Sequence, residues 1–164
     1  MANMKKLILF TLMSLFTLVS FAQGYVINGQ IKESKNGLAT LRTYFRDGNE
    51  QLDSARIEED GKFYFRGQIK DPIPALLTIN GKRTYRLYLS PGDNVEMILV
   101  PNNEKKTKIK GTKLTTEWYS IVAPQKKEDY DVHLSRLENW VINNPSHIFS
   151  PDIIASYLAY KWNY

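Results

Sequence analysis

Residues Leu52 to Gly67 read Leu-Asp-Ser-Ala-Arg-Ile-Glu-Glu-Asp-Gly-Lys-Phe-Tyr-Phe-Arg-Gly, and the register of this stretch decides the fold class. A two-residue turn at Asp60-Gly61 would set Ile57 against Tyr64 and leave Phe63 and Phe65 on the same face as Glu58 and Arg56. A three-residue loop, Glu59-Asp60-Gly61, sets Ile57 against Phe63, Ala55 against Phe65 and Glu58 against Lys62. One face is then apolar and the other charged, as a half-buried β-hairpin requires, because a one-residue slip turns every side chain to the wrong face. Three-residue loops end in a left-handed residue, and Gly61 stands at that place. The sequence therefore predicts a hairpin with a three-residue loop.

The residues before it carry the marks of an export signal. Lys5 and Lys6 precede an apolar run, Leu7 to Val19, and Ser20-Phe21-Ala22 supplies small residues before a cleavage point. The expectation is a signal peptide over residues 1–22, cleaved after Ala22, and a periplasmic or secreted protein. The apolar run is shorter than the roughly 20 residues of a membrane helix, so no stable span is expected after cleavage. No Cys follows it, which excludes a lipoprotein anchor. Two of the 22 basic residues lie in this leader and none of the 17 acidic ones, so the remainder carries +3 rather than +5. That charge is too mild to point to nucleic acid. An exported chain would usually use disulfides, yet this one has no Cys. Its core must hold it unaided, and thiol chemistry is closed to it.

From Gly24 to Lys110 nearly every segment reads as β. Tyr25, Ile27 and Ile31 alternate with polar positions, and Leu38 to Phe45 follows a turn at Asn36-Gly37. Ala75 to Leu89 is a second hairpin about Asn80-Gly81. The dipeptide favours a two-residue turn, but an odd loop sets Leu77 against Tyr85 and Ala75 against Leu87, and the apolar face decides. Val95, Met97 and Leu99 share a side of the strand Asn94 to Val100, and a Lys-rich strand follows over Lys105 to Lys110. Beyond Gly111 the period changes. Leu114, Trp118, Ile121 and Val122 fall at helical spacing, as do Tyr130, Leu134, Leu137 and Val141. Ser150-Pro151 caps and opens a third helix through Ile154, Tyr157, Leu158 and Trp162. It reaches Tyr164 without a C-capping signal, the pattern of a chain cut short. The fold expected is mainly β: a small antiparallel sandwich or barrel over residues 23–111, then a short helical region over 112–164.

Taken in order, Gly29-Gln30-Ile31, Asp53-Ser54, Asp60-Gly61-Lys62-Phe63-x-Phe65-x-Gly67, Leu89-x-Pro91-Gly92-Asp93 and Ile109-x-Gly111-Thr112 resemble an exported domain of unknown function. That domain is found ahead of thioredoxin-like domains of the TlpA or peroxiredoxin-like type. The resemblance covers residues 24–164. It implies an accessory module whose catalytic partner is a following thioredoxin fold with a Cys-x-x-Cys pair. No active-site residue carries over, because this sequence contains no Cys.

Other constellations favour structure over chemistry. His133 and His147 are too few and too far apart for a zinc site, and His133 is expected to be a partly exposed helix residue. Glu58-Glu59-Asp60 sits at a hairpin tip, where carboxylates are solvated. No Gly-x-Ser-x-Gly elbow exists. Lys105, Lys106, Lys108, Lys110 and Lys113 form a basic stripe that suits the protection of an outer strand. Phe63, Phe65, Trp118, Tyr130, Trp140 and Trp162 fall on apolar faces. Arg83, Arg86 and Tyr88 are the candidate binding residues, provided that Thr84, Arg86 and Tyr88 share a solvent-facing sheet surface. The sequence thus predicts no enzyme, no cofactor and no metal. Two readings remain: an exported accessory module acting by protein contacts or self-association, or a cell-envelope protein binding glycan or peptide.

Overall fold

In the computed structural model, residues 24–32, 36–101 and 103–159 are described. The leader with its cleavage point, and Trp162, lie outside them. Eight strands form two four-stranded sheets packed face to face. They are β1 (Gly24–Ile31), β2 (Gly37–Tyr44), β3 (Glu50–Ile57), β4 (Lys62–Gln68), β5 (Ile73–Ile79), β6 (Arg83–Leu89), β7 (Asn94–Leu99) and β8 (Lys108–Lys110). One sheet has the order β4-β1-β7-β8 and the other β3-β2-β5-β6. The inward alternation expected for β1 and β7 is present, with Tyr25, Ile27, Ile31, Val95, Met97 and Leu99 all buried.

The expectation of an antiparallel sandwich needs one correction, since β1 and β7 run parallel, Ile27 beside Val95. Parallel neighbours need a long crossover, and here the whole excursion through β2–β6 provides it. The turn Ser90 to Asp93 delivers the chain to the first sheet, where Asp93 C=O accepts the Val26 N–H at 2.9 Å.

The stretch Leu52 to Gly67 departs further from expectation. Its loop is as predicted: Glu58 N–H donates to Lys62 C=O at 2.9 Å, and Gly61 has φ 81°. Past that pair the strands part, however. β3 pairs with β2 and β4 with β1, so Ile57 and Phe63 reach the same core from opposite sheets rather than as ladder neighbours. Inward alternation is identical for a hairpin and for an arch between sheets, so the pattern could not separate them. The second hairpin behaves as read, with Leu77 beside Tyr85 and Ala75 beside Leu87.

Two glycines are fixed by the rings beside them. The Phe63 ring occupies the space where a Gly29 side chain would begin, and the Tyr25 ring does the same at Gly67. Gly29 pairs with Phe63 and Tyr25 with Gly67 across β1 and β4.

The Lys-rich strand is shorter than expected. Glu104–Lys106 is a 3-10 turn and Lys108–Lys110 alone is strand, because Thr107 turns inward to accept the Val100 N–H. β8 does lie at the edge of its sheet, the position edge protection requires.

Helices α1 (Lys113–Val122), α2 (Tyr130–Asn143) and α3 (Ser150–Ile153), the last continued by a π-helical turn over Ile154–Leu158, follow among the described residues. Thr112 caps α1 and Asp129 caps α2 through their side chains. Ser150 is not the cap of α3 but its first residue, and its hydroxyl donates to Asn144 C=O at 2.6 Å. Two more readings change: Tyr130 is 64% exposed at the overhanging start of α2, while His133 is buried.

Candidate functional site

The three candidate residues all belong to β6, and the structure sends them to two different places. Tyr85, Leu87 and Leu89 point into the sandwich, so Arg86 and Tyr88 point outward from the second sheet. There the helices cover them. Tyr88 is fully buried and forms the strand-borne centre of a second core, with ring centroids 5.2 Å from Trp118 and 4.4 Å from Phe149.

Polar contacts fix the same junction. Tyr88 N–H donates to Thr115 Oγ1 at 2.8 Å, and its C=O accepts from the Thr112 hydroxyl at 2.8 Å. These threonines thereby satisfy an edge-strand backbone that would otherwise be unpaired inside the protein. The Tyr88 hydroxyl donates to Asp152 of α3, which also holds the Arg86 guanidinium in an ion pair. Burial first, and then the adjacent carboxylate, push the Tyr88 phenol well above its ordinary pKa. Arg86 also lies 5.7 Å from the Trp118 ring. Of the surface proposed from sequence, Thr84 alone is exposed. Tyr88 and Arg86 are occupied in attaching helices to sheet.

Arg83 goes elsewhere. It starts β6 on the inward side and lines a cavity of about 490 Å³ that the edge strands β6 and β8 both border. Arg83, Thr84 and Tyr85 form one wall, Thr107 and Ile109 the opposite one. Thr115, Thr116 and Tyr119 of α1 close an end. The Tyr119 hydroxyl donates to Arg86 C=O at 3.2 Å. Burial raises this phenol's pKa, which keeps it a neutral donor. Sequence reasoning missed the contributions of α1 and β8, because they meet β6 only through the tertiary fold.

A second polar cluster ties α1 to α2. Arg136 donates to Glu128 Oε1 at 2.8 Å and to the C=O groups of Ile121 at 2.6 Å and Ala123 at 3.0 Å. His133 Nδ1 lies 3.2 Å from Glu128 Oε2. Hydrogen bonds from Arg136 above all hold the Glu128 carboxyl down at about 2. The geometry is that of a clamp around a helix–helix connection. Among the described residues no group of three or more His, Cys, Asp or Glu is arranged to hold a metal ion.

Residues 25–118 match the family described as Domain of unknown function (DUF4369), which is more than half of the chain. The chain belongs to that family. The DUF4369 region ends at Trp118, so it includes the sandwich and the part of α1 that caps Tyr88. No curated protein matches the chain. Among the described residues no helix is long and apolar enough to cross a membrane.

Proposed function

We propose that this DUF4369 protein is an exported, non-catalytic interaction module of the kind that precedes thioredoxin-like thiol–disulfide reductases, working in the periplasm as an accessory to such an enzyme. The observation that carries this reading is the fusion of helices to sandwich at Tyr88. The backbone of β6, the Thr112 and Thr115 hydroxyls and the Asp152 carboxylate hold the helical region as a fixed platform rather than as a loose tail. That platform presents Tyr130, Val132 and Ile142 of α2 to solvent at 64%, 55% and 62% exposure. Exposed apolar side chains on a rigid element suit a protein partner or a second copy. With no Cys of its own, the chain would position a redox partner and leave the thiol chemistry to it.

Two measurements test the proposal. N-terminal sequencing of protein recovered from the cell envelope should begin at Gln23, and an unprocessed Met1 would contradict export. Calorimetric titration against a TlpA-type reductase from the same source should yield a complex that Ile142→Asp weakens. No heat of binding, together with a monomer in sedimentation, would remove the accessory reading. A second reading, a cell-envelope protein that binds glycan or peptide, is supported by the cavity beside Arg83.

A further inference from the structure

The walls of the cavity between β6 and β8 are unlike each other. From β8 and the residue before it the lining comes from Thr107 and Ile109, alternate positions, as when a strand presents a face. From β6 it comes from Arg83, Thr84 and Tyr85, three residues in succession. A strand presents successive residues together along its edge, because their side chains point to opposite faces. The cavity therefore runs along the free edge of β6.

The direction of the backbone groups follows from the bonds already described. Tyr88 N–H and C=O, and Arg86 C=O, point away from β5, for they bond Thr115, Thr112 and Tyr119. In an antiparallel ladder N–H and C=O alternate sides residue by residue, so those of Thr84 also point outward, into the cavity. Helix α1 thus caps the Tyr88 end of the edge with side chains, and the edge at Thr84 opens into a space of about 490 Å³. Arg83 supplies the positive charge of the described lining, Ile109 and Tyr85 an apolar wall.

We propose that this cavity receives a short extended peptide segment that adds to the free edge of β6 at Thr84 and carries an Asp or Glu side chain to Arg83. Main-chain hydrogen bonds to Thr84 provide the affinity, as in other strand additions, while the cation and the apolar wall select the side chains. Tyr119 and Thr115 block the edge beyond Arg86, so the added segment is short and has a fixed end. The site deepens the second reading given above and does not depend on the apolar surface of α2.

The test is selection from a random heptapeptide library against the whole protein, followed by synthesis of the enriched peptides. Enriched sequences should contain Asp or Glu, and they should shift the backbone amide resonances of Thr84 and Arg86. Methylating alternate main-chain nitrogens of the peptide should abolish binding without any change to the protein. Arg83→Gln should weaken binding about tenfold, the loss of one charge-assisted hydrogen bond. Thr84→Pro, which removes one outward N–H at an edge position where proline is tolerated, should weaken it as well. The proposal is overturned if no peptide is enriched, if the shifted amides lie away from β6, or if the N-methylated peptide binds equally well. Equal binding of sodium butyrate and the acidic peptides would leave a simple carboxylate pocket, and it too would overturn edge pairing. Failure here leaves the calorimetric test against a reductase unaffected, since that contact is assigned to α2.

Discussion

The two cores of the molecule are built on different principles. The sandwich core is largely aliphatic: Ile27, Leu41, Leu77, Leu87, Val95 and Leu99 are completely or almost completely buried, and the rings of Tyr25, Phe63, Phe65 and Tyr85 are spread over β1, β4 and β6. The helical core is smaller and is centred on an aromatic trio, Tyr88, Trp118 and Phe149, touching one another, with polar threads along its margin. Burial is non-directional and adds up over many residues, so the first core is redundant. The second depends on a few directional contacts, each with a fixed donor and acceptor. A domain of this size can therefore present a rigid helical platform without a second large core, provided that one strand residue anchors it.

Four substitutions or conditions test this contrast. Tyr88→Ala should cost about 4 kcal/mol, at the level of other buried aromatic truncations. If the cores are independent, hydrogen exchange at the amides of β1 and β7 will stay slow while that of α2 and α3 becomes fast. Loss of protection in both at once would make them one cooperative unit. Leu77→Ala should cost about 3 kcal/mol, and here denaturation followed by sheet and by tryptophan signals should shift together, because the helices have no support without β6. Thr115→Val keeps the shape but leaves the buried Tyr88 N–H without its acceptor, for about 2 kcal/mol. Urea titration should register that loss in the tryptophan transition. The smallest effect concerns acid. The Glu128 carboxyl is held down near 2 in the folded protein against an ordinary 4.5. Its contribution is therefore complete above about pH 4.5 and disappears as pH falls toward 2. Amide exchange in residues 123–129 should rise over that window, and Glu128→Gln should flatten the dependence.

Much of the fold was legible because burial leaves a period. The inward faces of β1 and β7, the loop residues Glu59 to Gly61 and the pairing of Leu77 with Tyr85 all followed from alternation. The partner of β3 did not, since Ile57 would be buried against either sheet. The candidate site was legible in part. Arg83 was noticed and does line a cavity. An outward position on a strand normally meets solvent, and nothing local to Tyr88 announces that a helix 27 residues on covers it through Thr115. Asp152, lying 64 residues from Tyr88, illustrates the same limit. The burial of His133 escapes the sequence for a related reason: Glu128 and Arg136 meet it only once the loop has closed.

The reciprocal arrangement of Tyr25 over Gly67 and Phe63 over Gly29 works as a two-letter address. Each strand offers one ring and one vacancy, and the vacancies match in a single alignment. A slip of two residues keeps every side chain on its proper face, so hydrophobic patterning cannot detect it. It would nevertheless bring Tyr25 against Phe65 or Ile69 and deprive both rings of their beds. Between β1 and β4 in the chain lie β2 and β3, which belong to the other sheet, and the two strands still have one way to meet. An Ala at Gly29 or Gly67 would erase a letter of that address, and the error would surface as misaligned strands rather than as a missing contact.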